Sequence, residues 1–141
     1  MGLGHNYKFI KIKSIDVDNI VSKLKKETLN GINITIPFKT SFNHYLDDID
    51  TLANYIGSIN CIHSDNGILK GYNTDYYGFK SLISSYNIDL HKKEILVLGA
   101  GGASRAVCAY LADNNLQFSI FIRTNSGTFN FLYTSCNFSN S

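Results

Sequence analysis

Apolar residues along this chain change their period several times, and each change predicts an element. Tyr7, Phe9, Ile10 and Ile12 interleave with Lys8 and Lys11, which predicts a short strand over 7–12. Ser14 or Asp16 offers a helix cap, and Val17, Ile20, Val21 and Leu24 then recur at helical spacing. Thr28 takes the next place on that stripe, and Asn30-Gly31 predicts its stop. Ile32, Ile34 and Ile36 alternate with Asn33 and Thr35, a period-two strand ended by Pro37, which cannot donate to a ladder. A second helix is predicted over about 40–55, with Leu46, Ile49, Leu52, Ala53 and Ile56 on one face.

Residues 58–63 and 68–72 read as paired strands around Asp65-Asn66-Gly67, a hairpin turn because Asn and Gly tolerate positive φ. A helix follows over 75–86 and a polar linker over 87–93. The pattern then changes. Glu94-Ile95-Leu96-Val97-Leu98 carries a continuous apolar run, the mark of a parallel strand buried on both faces. A glycine run, a small-residue helix to about Ala112 and a strand over 118–122 complete the start of a βαβ unit. Residues 125–141 show neither period nor charge and read as a frayed tail, or as a chain that stops inside its second domain. The fold class expected is α/β, with no internal repeat.

A hydrophobic content of 44% with 17% charged residues fits a globular chain of 141 residues. A net charge of +2 with no basic run argues against a nucleic-acid partner, and no apolar stretch approaches membrane-spanning length. The N-terminus lacks the apolar core of a signal peptide, so a cytoplasmic location is the expectation. Cys61, Cys108 and Cys136 lack metal-ligand spacing and read as buried apolar or incidental thiols. His5, His44, His63 and His91 are equally scattered, so no metal site is expected.

Three runs carry candidate chemistry. Gly99-Ala100-Gly101-Gly102-Ala103-Ser104 follows a strand and opens a helix, where backbone N–H groups can approach a pyrophosphate. Gly99 suits the tight turn and Gly101 the close approach; a merely structural glycine turn is the alternative. An NAD site has an acid at the end of the next strand, but Arg123-Thr124 stands there, which favours the 2′-phosphate of NADP unless Arg123 is only a solvated surface residue. Lys39, just past the strand ended by Pro37, can give a proton to a carbonyl that is gaining hydride, or can simply be solvated. Asp75, in Asn73-Thr74-Asp75, can hold the charge and geometry of such a lysine, while Asn73 or Thr74 can merely cap the next helix.

Taken together, Asn33-x-Thr35-x-Pro37-x-Lys39, Ile56-Gly57-Ser58-Ile59-Asn60, Gly71-Tyr72-Asn73-Thr74-Asp75 and Gly99-Ala100-Gly101-Gly102-Ala103-Ser104-Arg105-Ala106 resemble the shikimate dehydrogenase family in order and roughly in spacing, over about residues 7–124. The resemblance implies a substrate-binding domain over 1–86, followed by the start of a Rossmann domain over 87–141. It implies reversible NADP-linked reduction of 3-dehydroshikimate to shikimate, a step of aromatic amino-acid biosynthesis. By the same resemblance Lys39 is the catalytic acid/base and Asp75 its partner; Thr35, Lys39, Asn60 and Asp75 bind substrate; Gly99, Ala100, Gly101, Gly102 and Ala103 hold the pyrophosphate; and Arg123 and Thr124 meet the adenosine phosphate.

The family's Ser-x-Ser segment, which grips the substrate carboxylate, has no counterpart here. Ile122 stands where the family's Asn-Arg-Thr run has Asn, and the cofactor domain is not matched beyond Thr124. The expectation is therefore a dehydrogenase shortened at both ends and impaired in activity. The alternatives are a quinate-using relative of broader specificity and a non-catalytic nucleotide-binding remnant. A folate-linked dehydrogenase fits less well, because Thr35-Lys39 and Asn73-Asp75 argue against it.

Overall fold

The computed structural model describes residues 6–35, 38–39, 41–123 and 129–134, with backbone alone at 123 and 129–134. Two sheets and four helices make up the described chain, and the α/β class holds. Helix α1 (Val17–Lys25) follows a 3₁₀ turn at Ser14–Asp16, where the Asp16 carboxylate accepts the Lys13 N–H at 2.6 Å. Its stripe is the predicted one: Val17, Ile20, Val21 and Leu24 are all buried. Burying each such side chain contributes about 1.5–3 kcal/mol before the entropy of ordering it.

The first sheet has the order β1-β3-β4-β2, from β1 (Gly31–Asn33), β2 (Asp48–Ile49), β3 (Cys61–Asp65) and β4 (Ile68–Tyr72). β3 runs antiparallel to both β1 and β4, and β2 lies parallel to β4. The hairpin turn is as expected, with φ of 51° at Asn66 and 76° at Gly67, the positive pair that a two-residue turn needs. Ile62, Ser64, Leu69 and Gly71 face inward, and the Ser64 hydroxyl donates to the Leu24 carbonyl at 2.7 Å, pinning α1 to the sheet. Gly71 leaves room for Leu46, whose Cδ1 would stand 2.6 Å from a methyl there.

Several expectations need correction here. Residues 7–12 form no strand; Tyr7 and Phe9 are exposed, and no ladder partner lies beside them among the described residues. Helix α1 stops at Lys25, well before Asn30-Gly31, because Glu27 turns to a φ of 54° and its carboxylate accepts the Asn66 N–H at 2.8 Å. That tie to the hairpin outweighs further helical turns. The helix expected over 40–55 is only α2 (Thr51–Ile56). Asp50 caps it by accepting the Leu52 N–H at 3.1 Å, while Asp48 and Ile49 pair with β4 instead. Leu46 and Ile49 still pack on the core, from a turn and a strand. Ile36 and Pro37 lie outside the described residues.

Helix α3 (Asp75–Ser85) confirms the expected element, and the linker after it holds a 3₁₀ turn at Leu90–Lys92. The second sheet has the order β5-β6-β7, from β5 (Leu96–Leu98), β6 (Phe118–Arg123) and β7 (Phe129–Thr134), with α4 (Gly102–Asp113) crossing from β5 to β6. β5 and β6 are parallel, as expected of a βαβ unit. Two expectations fail. β5 is not buried on both faces, since Val97 packs under α4 with Cys108 and Leu111 while Leu96 and Leu98 are exposed. Of the two readings of 125–141, the frayed tail fails at 129–134, which form a strand antiparallel to β6 although the sequence there shows no period.

α3 and α4 pack through aromatic rings. Tyr110 stands edge-on to Tyr76 at 5.8 Å and to Phe79 at 5.3 Å between centroids. The Tyr76 hydroxyl donates to the Asp113 carboxylate at 2.7 Å. Burial first, and then that bond, push the Tyr76 pKa from the ordinary 10.0 up to about 12. A raised folded-state pKa means that the stabilisation is complete below pH 10.0 and is lost as pH rises through about 12. Absorbance titration at 295 nm is expected to show one tyrosine ionising far above the others and absent from Tyr76→Phe; uniform ionisation near the ordinary value would contradict the packing described.

Candidate active site

β3 and β4 end side by side, and the polar residues next to those ends converge. The Asn60 N–H donates to the Tyr72 carbonyl at 2.9 Å, extending the hairpin by one pair. Past Tyr72 the chain turns into α3. Asn73, almost fully buried, steers that turn: its side-chain amide donates to the Ser58 carbonyl at 2.8 Å, and its oxygen accepts the Asp75 N–H at 3.0 Å. Asn73 therefore does the capping that the sequence allows. The Thr74 side chain makes no cap bond and stands beside the Asn60 amide at 3.0 Å.

Asp75 opens α3, where the free N–H groups of the first turn favour a carboxylate. Its Oδ1 accepts from Asn60 Nδ2 and its Oδ2 from Lys39 Nζ, both at 2.6 Å. The Asn60 oxygen in turn accepts the Thr74 N–H at 2.9 Å. The Lys39 and Asp75 side chains are only 16% and 32% exposed, so solvent screens this pair less than a surface bridge. Lys39, Asn60 and Asp75, far apart in sequence, thus form one hydrogen-bonded unit with a cation, a carboxylate and an amide beside one another.

Thr35 is not drawn into that unit. It is exposed, its carbonyl accepts the Phe38 N–H at 2.9 Å, and among the described residues its side chain makes no hydrogen bond to Lys39. The glycine loop, in contrast, adjoins the unit. Gly99 has a φ of 95° and donates its N–H to the Phe121 carbonyl at 2.8 Å, so the turn there demands glycine. Gly101 is the N-cap of α4 and opens on empty space, while neither a side-chain cap nor an acid occupies the first turn of the helix. Those uncapped N–H groups and that open face suit an anion. The Arg123 side chain and Thr124 lie outside what the structure describes.

Gly102 rests on the Lys39 stem and on Ser58. A methyl on Gly102 would overlap Ser58 Oγ and stand 2.8 Å from Lys39 Cδ. Gly102→Ala is expected to leave the fold in place, since both neighbours are side chains that can move, but to displace Lys39 from Asp75. A variant crystal structure that retains the 2.6 Å contact would contradict this.

Sequence reasoning missed three participants. Asn73 and Thr74 read as caps and as members of a motif, with no role in the site, although three successive polar residues after a buried strand are the signal of a site. Ser58 carries no such signal; its hydroxyl is buried against Gly102 and has no partner among the described residues. The cysteines behave as expected where described: Cys108 is buried, Cys61 half-buried, and burial pushes both thiols up in pKa. Cys136 lies outside the described residues. No helix among the described residues is long and apolar enough to cross a membrane.

Comparison with known proteins gives one consistent family. A family model described as the shikimate dehydrogenase substrate binding domain matches residues 1–62. A shikimate dehydrogenase (NADP(+)) of Methanococcus maripaludis is 42% identical over 117 residues, covering 82% of this chain and 42% of the relative. One from Clostridium beijerinckii is 36% identical over 111 residues, covering 79% and 41%. Among solved structures, shikimate dehydrogenase 1 from Peptoclostridium difficile superposes with a TM-score of 0.76 at 33% identity, covering 84% of this chain and 44% of that one. A Thermus thermophilus shikimate 5-dehydrogenase in complex with NADP(H) and shikimate superposes with a TM-score of 0.67 at 35% identity, covering 77% and 42%. The chain thus spans about two fifths of the length of the curated relatives it matches.

Proposed function

Since this chain belongs to the shikimate dehydrogenase family, we propose that its residues serve the reversible NADP-linked reduction of 3-dehydroshikimate to shikimate. The observation that carries the reading is the contact of the glycine loop with the stem of a lysine already held by a carboxylate. NADPH, when bound, supplies the hydride for the ketone carbon. Lys39 gives its ammonium proton to the ketone oxygen as charge develops there, and takes it back in the reverse direction. Asp75 holds the lysine in place and, with Asn60, offers acceptors and a donor to ring hydroxyls. Thr35 is the further substrate contact of this reading. The loop turned by Gly99 cradles the pyrophosphate with the N–H groups of Ala100, Gly101, Gly102 and Ala103, and Arg123 with Thr124 selects the 2′-phosphate of NADP.

In this reading residues 1–86 form the substrate-binding part and residues 87–141 belong to the dinucleotide-binding part. A location in the cytoplasm suits such NADP-linked chemistry on a soluble polyol acid. The test is incubation with NADPH and 3-dehydroshikimate or 3-dehydroquinate, with the products separated. Shikimate as the preferred product supports the reading, and quinate as the preferred product replaces it with the broader-specificity relative. NADPH binding without turnover leaves the non-catalytic reading.

A further inference from the structure

Two residues of α4 grip two consecutive residues of the other sheet's lead-in. Gly102 lies against Ser58, and Arg105, one turn further on the same helix face, donates from Nη1 to the Gly57 carbonyl at 3.0 Å. Gly57 is the left-handed cap of α2, with φ of 67°, and a methyl there would stand 3.3 Å from that same Nη1. The contact point is thus shaped on both sides.

Arg105 is an unusual choice for its place. A cation in the first turns of a helix opposes the helix dipole, and no acid pairs with it among the described residues. Local rules broken in this way tend to mark function. The segment it grips, Gly57-Ser58-Ile59-Asn60, ends at the amide that holds Asp75, which in turn holds Lys39. Against Gly102 lies the buried hydroxyl of Ser58, which has no hydrogen-bond partner among the described residues. A buried hydroxyl without a partner opposes close approach of the two parts, so a tie must offset it.

We propose that Arg105 is a positioning residue. Through the Gly57 carbonyl it fixes the glycine loop relative to the Lys39–Asp75–Asn60 unit, so that an anion seated on the loop is felt at Asn60. The claim rests on the dinucleotide reading only for the identity of that anion.

The test follows the Asn60 side-chain amide signal of the full chain by NMR during titration with NADPH, and separately with inorganic pyrophosphate, in wild type, Arg105→Met and Arg105→Lys. The expected result is an Asn60 shift in wild type that falls about twofold or more in Arg105→Met at saturating ligand and is restored in Arg105→Lys. An undiminished shift in Arg105→Met overturns the proposal, and so does general loss of signal dispersion in that variant, which would make Arg105 merely structural. If pyrophosphate but not NADPH produces the pattern, the joint stands and the dinucleotide reading falls. If neither ligand moves Asn60 in wild type, the positioning proposal falls, and the dinucleotide reading falls with it only where NADPH also leaves the amide signals of Gly101 and Gly102 unmoved.

Discussion

Under the proposed function, Lys39→Met is expected to lower the rate of NADPH oxidation with 3-dehydroshikimate by about 10²–10⁴-fold, the usual worth of a placed general acid. Methionine keeps most of the stem that supports Gly102 but cannot carry the proton. Lys39→Arg is expected not to rescue the rate, because a guanidinium keeps the charge yet does not release its proton at neutral pH. The fold should survive in both, since Lys39 lies at the edge of the core and Asp75 keeps its bond from Asn60 at 2.6 Å. Steady-state rates beside far-ultraviolet circular dichroism decide the matter. A rate within a few-fold of wild type would remove Lys39 from the chemistry and leave its ion pair as a structural bridge.

Asn73→Ala is expected to cost about 2–4 kcal/mol of folding stability, the largest loss from any polar residue of the site. Two bonds disappear, at 2.8 and 3.0 Å, and the buried Ser58 carbonyl and the part-buried Asp75 N–H are left without their partner. The damage should reach the site, because the Asp75 N–H is what fixes the start of α3. Urea unfolding reads the stability, and shikimate affinity reads the site. A loss under about 1 kcal/mol would mean that water replaces the amide, so that Asn73 does not set the turn.

What could be read from the sequence was local chemistry and strong periods. The Val17-Ile20-Val21-Leu24 stripe, the Asn66-Gly67 turn and the glycine loop before α4 each specify their geometry with a few adjacent residues. What could not be read was decided by contacts distant in sequence. Glu27 ends α1 because it finds Asn66, and Asp48-Ile49 leave a helical pattern because β4 offers a ladder. Leu96 and Leu98 belong to a run that predicts burial on both faces, yet α4 covers only Val97. The site followed the same division. Lys39 and Asp75 stood out as reactive side chains at strand ends, but their contact is a matter of tertiary structure. The grip of Gly102 and Arg105 on Gly57-Ser58 left no trace in any period.

Lys39, Asp75 and Asn60 form one hydrogen-bonded unit, which the proposed function makes a polyol site. Titration of the chain with shikimate, followed through backbone and side-chain amide signals, tests it most directly. The largest shifts are expected at the Asn60 side chain, Thr74 and Asp75, reduced in Lys39→Met. Shifts confined to other residues, or an unchanged spectrum at millimolar shikimate in a folded chain, would contradict it.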